Sequence, residues 1–192
     1  KYNRHWGYLE RYKIDQNGDT LHAPRKKYNT RQNYYHKPRF NLRDYWKVNE
    51  DLYIHNIAYL SIGKGGGTRL NNTRLTENAQ MDLQTSYDNN YNNQFSPGRA
   101  NDIIMSSRND HFWVGLLSQV DYRISGVFNF SGGIDMRYYK GEHYQETYDF
   151  LGGEYYLEEG QYSELTDPTR PTIRRDEIGD VINFHNDGLV KW

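Results

Sequence analysis

The chain has 192 residues, a formal net charge of −1 and no cysteine. Nothing in this charge argues for a nucleic-acid partner, and a chain without cysteine forms no disulfide. Only 35 % of the residues are hydrophobic, but 16 % are aromatic, with 19 tyrosines. Tyrosine suits half-buried strands and membrane–water interfaces. No apolar run approaches the roughly 18 residues of a membrane-spanning helix. This does not exclude a membrane barrel, because the strands of such a barrel alternate apolar and polar residues.

Residues 1–37 are rich in Tyr, Asn, Lys and Arg and are predicted to form a loop. Within them, Asp-Gln-Asn-Gly-Asp at residues 15–19 lies between two β-prone flanks. Asn-Gly between such flanks is a strong signal for a short hairpin. The same residues could suggest a calcium loop, but the twelve-position ligand pattern and its closing Glu are missing. The pattern therefore favours a turn.

The first long hairpin is predicted over residues 38–62. Side chains alternate between the two faces of a strand. The apolar side chains of residues 39–48 share one parity, and this parity continues in residues 52–62 after a turn at 49–51. Asp44 and Asn56 are the two polar interruptions of the apolar face. Because the parity is kept across the turn, residues 39–48 are predicted to pair antiparallel with residues 52–62 without a register slip.

Residues 63–111 show little periodicity and are predicted to form a long loop, crowded with Asn, Gln, Gly and Ser. Gly-Lys-Gly-Gly-Gly-Thr at residues 63–68 follows a strand and could suggest a phosphate-binding loop. Its Lys is in the wrong place for a Walker motif and no amphipathic helix follows, so a flexible loop is favoured. A structureless loop of this length is unusual in a compact soluble domain.

The second long hairpin, residues 112–139, has the clearest alternation in the chain, with arms at 112–124 and 127–139 and a turn at 125–127. Each arm is slightly longer than the roughly 9–11 residues with which a tilted strand crosses a bilayer, whereas an ordinary strand has about 5–6. This length favours a membrane barrel. The side chains predicted to face lipid include Ile54, Leu60, Leu116, Val120, Phe130 and Ile134.

A third long loop is predicted over residues 140–188, with a short strand at 155–157, and residues 189–192 are predicted to begin another strand. All the short turns then fall at one end of the sheet and all the long loops at the other. This asymmetry is typical of outer-membrane barrels, with short periplasmic turns and long extracellular loops. The predicted fold class is an all-β, antiparallel transmembrane β-barrel segment of four long strands. It is incomplete on its own, because the smallest such barrels have about eight strands.

The aromatic residues of the four strands fall at two levels, as expected at the two membrane–water interfaces. The predicted interface aromatics are Trp46, Tyr53, Tyr59, Phe112, Trp113, Tyr122, Phe128 and Tyr138. The polar parity is predicted to face the barrel lumen as a salt-bridged wall that holds a plug, in preference to direct substrate contact. The predicted lumen-facing residues are Arg43, His55, Asp121, Arg123, Asp135 and Arg137.

No catalytic, metal or cofactor site is predicted. The seven His show no metal-ligand spacing, and no nucleophile–base arrangement is readable. A glycosidase needs a positioned carboxylate pair, which the sequence does not place among Glu142, Glu146, Glu158 and Glu159. Loop tyrosines and asparagines, by contrast, suit ligand recognition through stacking and adaptable hydrogen bonds. The candidates for ligand contact are Tyr87, Tyr91, Tyr155 and Tyr156.

Three long segments support a family resemblance: LYIHNIAYLSIGKGGGT at residues 52–68, FNFSGGIDMRYYKGEHY at 128–144 and IGDVINFHNDGLVKW at 178–192. They are similar to the barrel region of TonB-dependent receptors, which are active transporters of the outer membrane, and resemble the Bacteroidetes type most. The resemblance covers most of the chain, loosely in residues 1–37, and does not specify a substrate.

This resemblance implies a 22-stranded barrel with an N-terminal plug, located in the cell outer membrane and importing a ligand of unspecified chemistry. The partners it implies are the lipid bilayer, the rest of the barrel and its plug, a periplasmic energy-coupling protein and a surface lipoprotein, with no cofactor. The chain contains neither plug nor coupling segment, so we expect it to be part of a longer one. Two alternatives stay open: a soluble β-sandwich that binds carbohydrate through its loops, and a passive porin.

Overall fold

A computed structural model of the protein describes residues 3–158 and 173–182. The fold is mostly β with one helix, so the expected all-β class is confirmed. The elements are β1 Trp6–Leu9, β2 Tyr12–Ile14, β3 Thr20–His22, β4 Lys26–Asn29, β5 Asn33–His36, β6 Arg39–Lys47, β7 Leu52–Leu70, α1 Leu83–Tyr91, β8 Arg99–Ala100, β9 Ile104–Arg123, β10 Asn129–Asp149, β11 Tyr155–Glu158, β12 Ile173–Arg175 and β13 Val181–Ile182.

The chain divides into two compact units. Within the described residues, the core unit comprises residues 3–34, 66–108, 144–158 and 173–182, and the sheet unit comprises residues 35–65 and 109–143. Residues 189–192, predicted to begin a further strand, lie outside the described residues, as does Glu159.

The first predicted hairpin is confirmed in the sheet unit. β6 pairs antiparallel with β7, with Arg39 opposite Ser61 and Lys47 opposite Tyr53. The amide of Val48 donates to the carbonyl of Leu52 at 3.0 Å, so the two residues flank the turn as predicted. The Asn49 side chain closes this turn, because its Oδ1 accepts from the amides of residues 51 and 52 at 2.9 and 2.8 Å.

The second predicted hairpin is also confirmed, since β9 and β10 are neighbours in the sheet. The amide of Ile124 donates to the carbonyl of Phe128 at 2.9 Å. Ser125 Oγ accepts from the amides of Val127 and Phe128 at 3.3 and 3.2 Å, which fixes the connection at residues 125–127. The strand order in the sheet unit is β6–β7–β9–β10.

β7 and β9 are also antiparallel. At one end the amide of Arg123 donates to the carbonyl of Asp51 at 2.8 Å, and at the other the amide of Gly65 donates to Asp110 Oδ1 at 3.3 Å. Residues whose numbers sum to about 174 therefore lie opposite each other on these two strands. The sheet unit is thus a single meander of four antiparallel strands in chain order.

The predicted strand ends were wrong, because three strands continue into the segments interpreted as loops. β7 runs to Leu70, β9 begins at Ile104 and β10 ends at Asp149. The glycine-rich residues 63–68 are therefore strand and not a flexible loop. Close approach of the backbone favours glycine there: a Cβ on Gly66 would lie 2.6 Å from the carbonyl oxygen of Ser107. Strands are recognised in a sequence by large apolar side chains at alternate positions. Residues 63–68 have no such side chains, so no strand signal is visible there.

The remainder of the predicted loop at 63–111 contains the helix α1, which the sequence did not predict. Asp82 caps its first turn by accepting from the Thr85 amide at 3.2 Å. The helix lacks a strong apolar stripe, so its 3.6-residue period gave no signal. Tertiary contacts hold it instead, through the buried residues Leu83, Ser86, Tyr87 and Asn90.

Residues 3–37 contain five short strands, β1 to β5, where a loop was predicted. The turn at residues 15–19 is confirmed, since it joins β2 to β3 in an antiparallel pair. Asp15 Oδ1 accepts from the amides of Asn17 and Asp19 at 2.8 and 2.9 Å, and Gly18 has φ of 88°. β1 pairs antiparallel with β4, and β5 pairs with β7.

The core unit is held by two clusters of buried side chains. One consists of Leu9, Leu70, Met81, Leu83, Tyr87, Ile104 and Leu151. The other consists of Ala100, Ile103, Met105, Phe150 and Ile182. The strand predicted at residues 155–157 is confirmed as β11, which pairs parallel with β8 and antiparallel with β12. β13 pairs with Gln145 and Glu146 of β10.

Candidate functional site

One face of the sheet unit is apolar and uncovered within the described residues. It is formed by alternate side chains of the four strands, so it follows directly from the pairing of β6, β7, β9 and β10. Leu42 is 71 % exposed, Ile134 63 % and Phe130 54 %. The other large side chains exposed on this face are Phe40, Trp46, Val48, Ile62, Phe112, Val114, Leu116, Tyr122, Ile124, Phe128, Met136 and Tyr138. Monomeric soluble proteins rarely expose an apolar surface this continuous.

The opposite face is polar and laced with charge pairs, as the parity predicted. Asp121 is its most connected carboxylate: Ser131 Oγ donates to Oδ1 at 2.6 Å, Gln119 Nε2 donates to Oδ1 at 3.1 Å, and His55 Nε2 lies 3.5 Å from Oδ2. In the described part of the chain, the other residues predicted on the polar face have fewer hydrogen-bond and ion-pair partners than Asp121.

Arg137 and Asp135, two residues apart on β10, form an ion pair at 2.7 Å. Arg123 lies 3.8 Å from Asp51, which was not among the predicted residues. Arg43 forms no ion pair within residues 3–158 and 173–182. Exposed pairs of this kind contribute little to stability, so their significance lies in making the face hydrophilic.

The polar face also carries a group of aromatic and histidine side chains; Trp113 and Tyr139 lie within the predicted second hairpin, whereas His111 and His143 were not among the predicted site residues. His111 Nδ1 lies 2.8 Å from the Tyr139 hydroxyl, and the Tyr139 ring meets Trp113 edge-on at 5.3 Å. Lys37 Nζ lies 5.5 Å from the centre of the Trp113 ring. His143 Nδ1 donates to Asn109 Oδ1 at 2.7 Å. For the two histidines the signal was available, because His111 and His143 continue the odd parity of the second hairpin beyond its predicted ends.

The predicted interface aromatics lie at both ends of the sheet unit, and all of them except Phe128, which directly precedes β10, are on strands. Phe112 contacts Tyr138 with ring centroids 6.3 Å apart, and the Tyr59 ring lies 5.9 Å from the Arg39 guanidinium. At the other end, the Tyr53 ring lies 5.7 Å from Lys47 Nζ. Tyr122, Phe128 and Trp46 are exposed near the two short turns. Their assignment to membrane interfaces stays a prediction.

A separate pocket of about 410 Å³ lies in the core unit and contains two of the predicted ligand tyrosines. α1 places Tyr87 and Tyr91 one helical turn apart, so their rings stack with centroids 6.1 Å apart. Tyr12 from β2 meets both rings edge-on, at 5.0 and 4.9 Å. The other two candidates, Tyr155 and Tyr156, lie on β11 and do not line this pocket.

The hydroxyl groups of the pocket are fixed by the surrounding backbone and carboxylates. Tyr87 donates to the carbonyl of Tyr12 at 3.0 Å and accepts from its amide at 3.1 Å. Tyr12 donates to Asp88, and partial burial together with this hydrogen bond raises the pKa of Tyr12 well above its ordinary value. Arg11 pairs with Asp149 at the pocket wall. Of the three pocket tyrosines, Tyr91 is therefore the one whose hydroxyl group is least constrained by hydrogen bonds within the described residues.

A glycine turn closes the pocket over Tyr87. Gly152 has φ of 87°, and a Cβ at this position would lie 2.9 Å from Cε2 of Tyr87. Beneath the turn, the fully buried Asn90 donates to the carbonyls of Phe150 and Leu151 at 3.0 and 3.1 Å. The helix and the turn are thus held against each other by one amide side chain.

Tyr155 and Tyr156 take part in other contacts. The Tyr155 ring lies 3.9 Å from the Arg174 guanidinium, and Tyr156 packs against the second buried cluster. The carboxylates considered at the sequence level are paired or exposed: Glu158 accepts from Arg175 at 2.8 Å, and Glu142 lies 2.6 Å from Lys140. Among residues 3–158 and 173–182, no group of three or more His, Asp or Glu could hold a metal ion.

Comparison with protein-family models, curated proteins and solved structures finds no match to the chain. In the part of the chain that the structure describes, no helix has the length and hydrophobicity needed to span a membrane.

Proposed function

We propose that this chain is part of the transmembrane β-barrel of an outer-membrane active transporter. The observation that carries the proposal is the apolar face of the sheet unit, which contains Leu42, Phe130 and Ile134 and is uncovered in the described residues. A face of this kind is more stable in an apolar environment, because the transfer of apolar surface out of water is favourable. Lipid supplies that environment along the whole length of four strands.

Strand length supports the same proposal. The nine residues of β6 pair with residues 53–61 of β7, and the arms of the second hairpin are longer still. Roughly 9–11 residues are enough for a tilted strand to cross the hydrocarbon core. Every backbone group in lipid needs a partner. Within the described residues, no strand pairs with the outer edges of β6 and of residues 129–143 of β10, so in a barrel these edges require neighbouring strands.

The polar face supports an aqueous interior. Asp121, Arg123, Asp135 and Arg137 all project from it, and none of these charges belongs against lipid, where a charge near the midplane costs about 2–4 kcal/mol. In a large barrel such a face meets water or a plug. With the exception of Asp44, apolar and ionic side chains lie on opposite faces of the sheet unit, which fits a wall between lipid and lumen.

Active transport, as opposed to passive diffusion, rests on the resemblance of the three quoted segments to TonB-dependent receptors. In this proposal a periplasmic energy-coupling protein drives import, a plug fills the lumen, and a surface lipoprotein is a further partner. Residues outside the two long hairpins provide the ligand contacts, with Tyr12, Tyr87 and Tyr91 forming an aromatic pocket for the ligand. A soluble carbohydrate-binding sandwich would require a second sheet over the apolar face.

The proposal is tested on the whole protein by membrane fractionation and by transport. We expect the protein in the outer-membrane fraction, resistant to carbonate extraction, and migrating as a compact form on unheated gels. We also expect ligand-dependent growth or uptake to be lost when the energy-coupling protein is deleted. Recovery as a soluble, monodisperse protein would support the sandwich, and uptake that survives the deletion would support the porin.

A further inference from the structure

The apolar face of the sheet unit is interrupted by a polar row formed by Asp44, Asn56 and Ser118. Asp44 on β6 lies directly opposite Asn56 on β7. Ser118 on β9 donates from Oγ to Asn56 Oδ1 at 2.7 Å. The two interruptions seen separately in the sequence are therefore one continuous feature, and the structure adds a third strand to it.

This row lies in the middle of the paired region and not at either end. Asn56 is four residues from the start of β7 and six from Ile62, the last apolar residue of its face. On β6 the row is flanked by Leu42 and Trp46, which are 71 % and 58 % exposed. In the barrel proposed above, these positions place the polar row near the bilayer midplane, where ionisable side chains are costly and tend to have a partner.

The row has unused hydrogen-bonding capacity. Ser118 occupies Asn56 Oδ1, which leaves the Asn56 amide hydrogens as donors. Within the described residues, neither these hydrogens nor the Asp44 carboxylate has a hydrogen-bond partner. A carboxylate acceptor and an amide donor therefore stand side by side at one height on neighbouring strands, facing away from the sheet.

This pair is complementary to itself. If two copies meet face to face about a two-fold axis parallel to the barrel axis, β6 of each copy faces β7 of the other. Asp44 of each copy then meets Asn56 of the other at the same height, and two identical hydrogen bonds form. Facing sheets lie about 10 Å apart, a gap that the two side chains can span.

We propose that the polar row is a dimer contact, and that its occupant is a second copy of this chain. Leu42 and Trp46 flank the row and supply the apolar part of the contact, since exposed tryptophans are common anchors of interfaces. This inference rests on the proposed outer-membrane location. Lipid alone would satisfy neither Asp44 nor Asn56.

The test exchanges the two polar side chains in the whole protein, purified from outer membranes in mild detergent, with mass measured by native mass spectrometry. The wild type is expected to be a dimer. Asn56→Asp sets carboxylate against carboxylate at both contacts and is expected to raise the dimer dissociation constant by at least ~100-fold. Adding Asp44→Asn restores an amide opposite a carboxylate, so the double variant is expected to return to the dimer.

Asn41→Asp is the matched control, because it makes the same chemical change on the same hairpin but on the polar face, opposite Tyr59. It is expected to leave the dimer intact. Each variant is first checked for the compact form on unheated gels, so that a folding defect is recognised. A monomeric wild type, a dimeric Asn56→Asp protein or a double variant that stays monomeric would overturn the dimer contact.

A second measurement is chemical cross-linking in intact membranes. It needs no purification, so it can also be applied to variants that are unstable in detergent. The chain has no cysteine, and Leu42 lies opposite Ala58 within one copy. We expect a thiol cross-linker of ~10 Å to join Leu42→Cys chains to Ala58→Cys chains in a mixed population, and to join Leu42→Cys chains to each other much less. Equal or absent cross-linking would reject this geometry. A protein found in the membrane fraction but monomeric refutes the dimer alone, whereas a soluble protein refutes the proposed function.

Discussion

The two units differ in whether their large hydrophobic side chains are buried or exposed. All the buried hydrophobic side chains of the described residues lie in the core unit, in the clusters around Leu83 and Ile103. The sheet unit buries none, although it holds Leu42, Phe130 and Ile134. The core unit therefore carries the stabilisation of an ordinary water-soluble fold, whereas the sheet unit depends on what covers it. Substitutions should separate these two sources of stability.

The largest effect is expected at Asn90, the polar centre of the core unit. Its side chain donates to the carbonyls of Asp102, Phe150 and Leu151 and accepts from the amides of Asn101 and Asp102. Asn90→Leu leaves these buried groups unpaired and should lower the free energy of unfolding by on the order of 5 kcal/mol. Chemical denaturation measures this loss.

Asn89→Leu is the control for that substitution, because residue 89 is exposed on the same helix. It should change the free energy of unfolding by less than about 0.5 kcal/mol. Equal effects of the two variants would mean that the Asn90 network does not hold the helix to the turn at 150–153.

A second comparison sets one leucine of each unit against the other. Leu83 is fully buried, so Leu83→Ala should cost about 2–5 kcal/mol through lost burial and the cavity left behind. Leu42→Ala, at a side chain 71 % exposed, should cost less than about 1 kcal/mol in detergent. Denaturation curves of the two variants measure the difference. A large effect at Leu42 in detergent would show that the apolar face is covered there, either by another part of the protein or by the second copy proposed above.

The third prediction tests the orientation of the two faces in lipid. Leu116→Arg places a charge on the apolar face and should cost about 2–4 kcal/mol near the midplane. Gln119→Arg, on the polar face of the same strand, should cost little. Folding into lipid vesicles with urea titration measures both, and a Leu116→Arg protein as stable as Gln119→Arg would contradict a lipid-facing apolar surface.

The smallest effect is expected at the ion pairs of the polar face. Arg137 and Asp135 have side chains 59 % and 43 % exposed, so their attraction is screened by water. Arg137→Ala should lower the free energy of unfolding by less than about 1 kcal/mol. A loss above about 2 kcal/mol would show that this pair is buried against a further element, such as a plug.

The tyrosines of the core unit add a pH dependence to this comparison. Burial, together with the Asp149 carboxylate, raises the pKa of Tyr28 to about 12. A folded pKa raised above the unfolded value near 10 favours the protonated, neutral phenol in the folded state. Its contribution to stability is therefore complete below about pH 10 and is lost as the pH rises through about 12. Tyr28→Phe should weaken this alkaline dependence.

Much of the sheet unit could be predicted from sequence because its structure follows a local rule. Alternation alone fixed the pairing of Arg39 with Ser61 and the turns at 49–51 and 125–127. A one-residue slip would send every apolar side chain of one arm to the other face, and the short turns at 49–51 and 125–127 exclude a slip of two residues. The separation of Ile134 from Asp135 on opposite faces follows from the same rule.

The candidate site was only partly predictable. Tyr87 and Tyr91 were singled out by composition, but their partner Tyr12 comes from a strand about 75 residues away in sequence. The polar row was visible only as two unrelated interruptions, and Ser118 was not suspected. Contacts between distant segments leave no periodic signal in one sequence, and each such segment looks like an ordinary polar stretch.

The sequence by itself determined which residues of the two long hairpins face each other and which face they share, because strand geometry converts parity directly into orientation. Only the tertiary structure decided that the glycine-rich residues 63–68 are strand, that residues 83–91 are a helix, and that Asn90 joins this helix to the turn at 150–153. Those features depend on buried polar partners and close backbone approach, whose free energy arises only when distant parts of the chain meet.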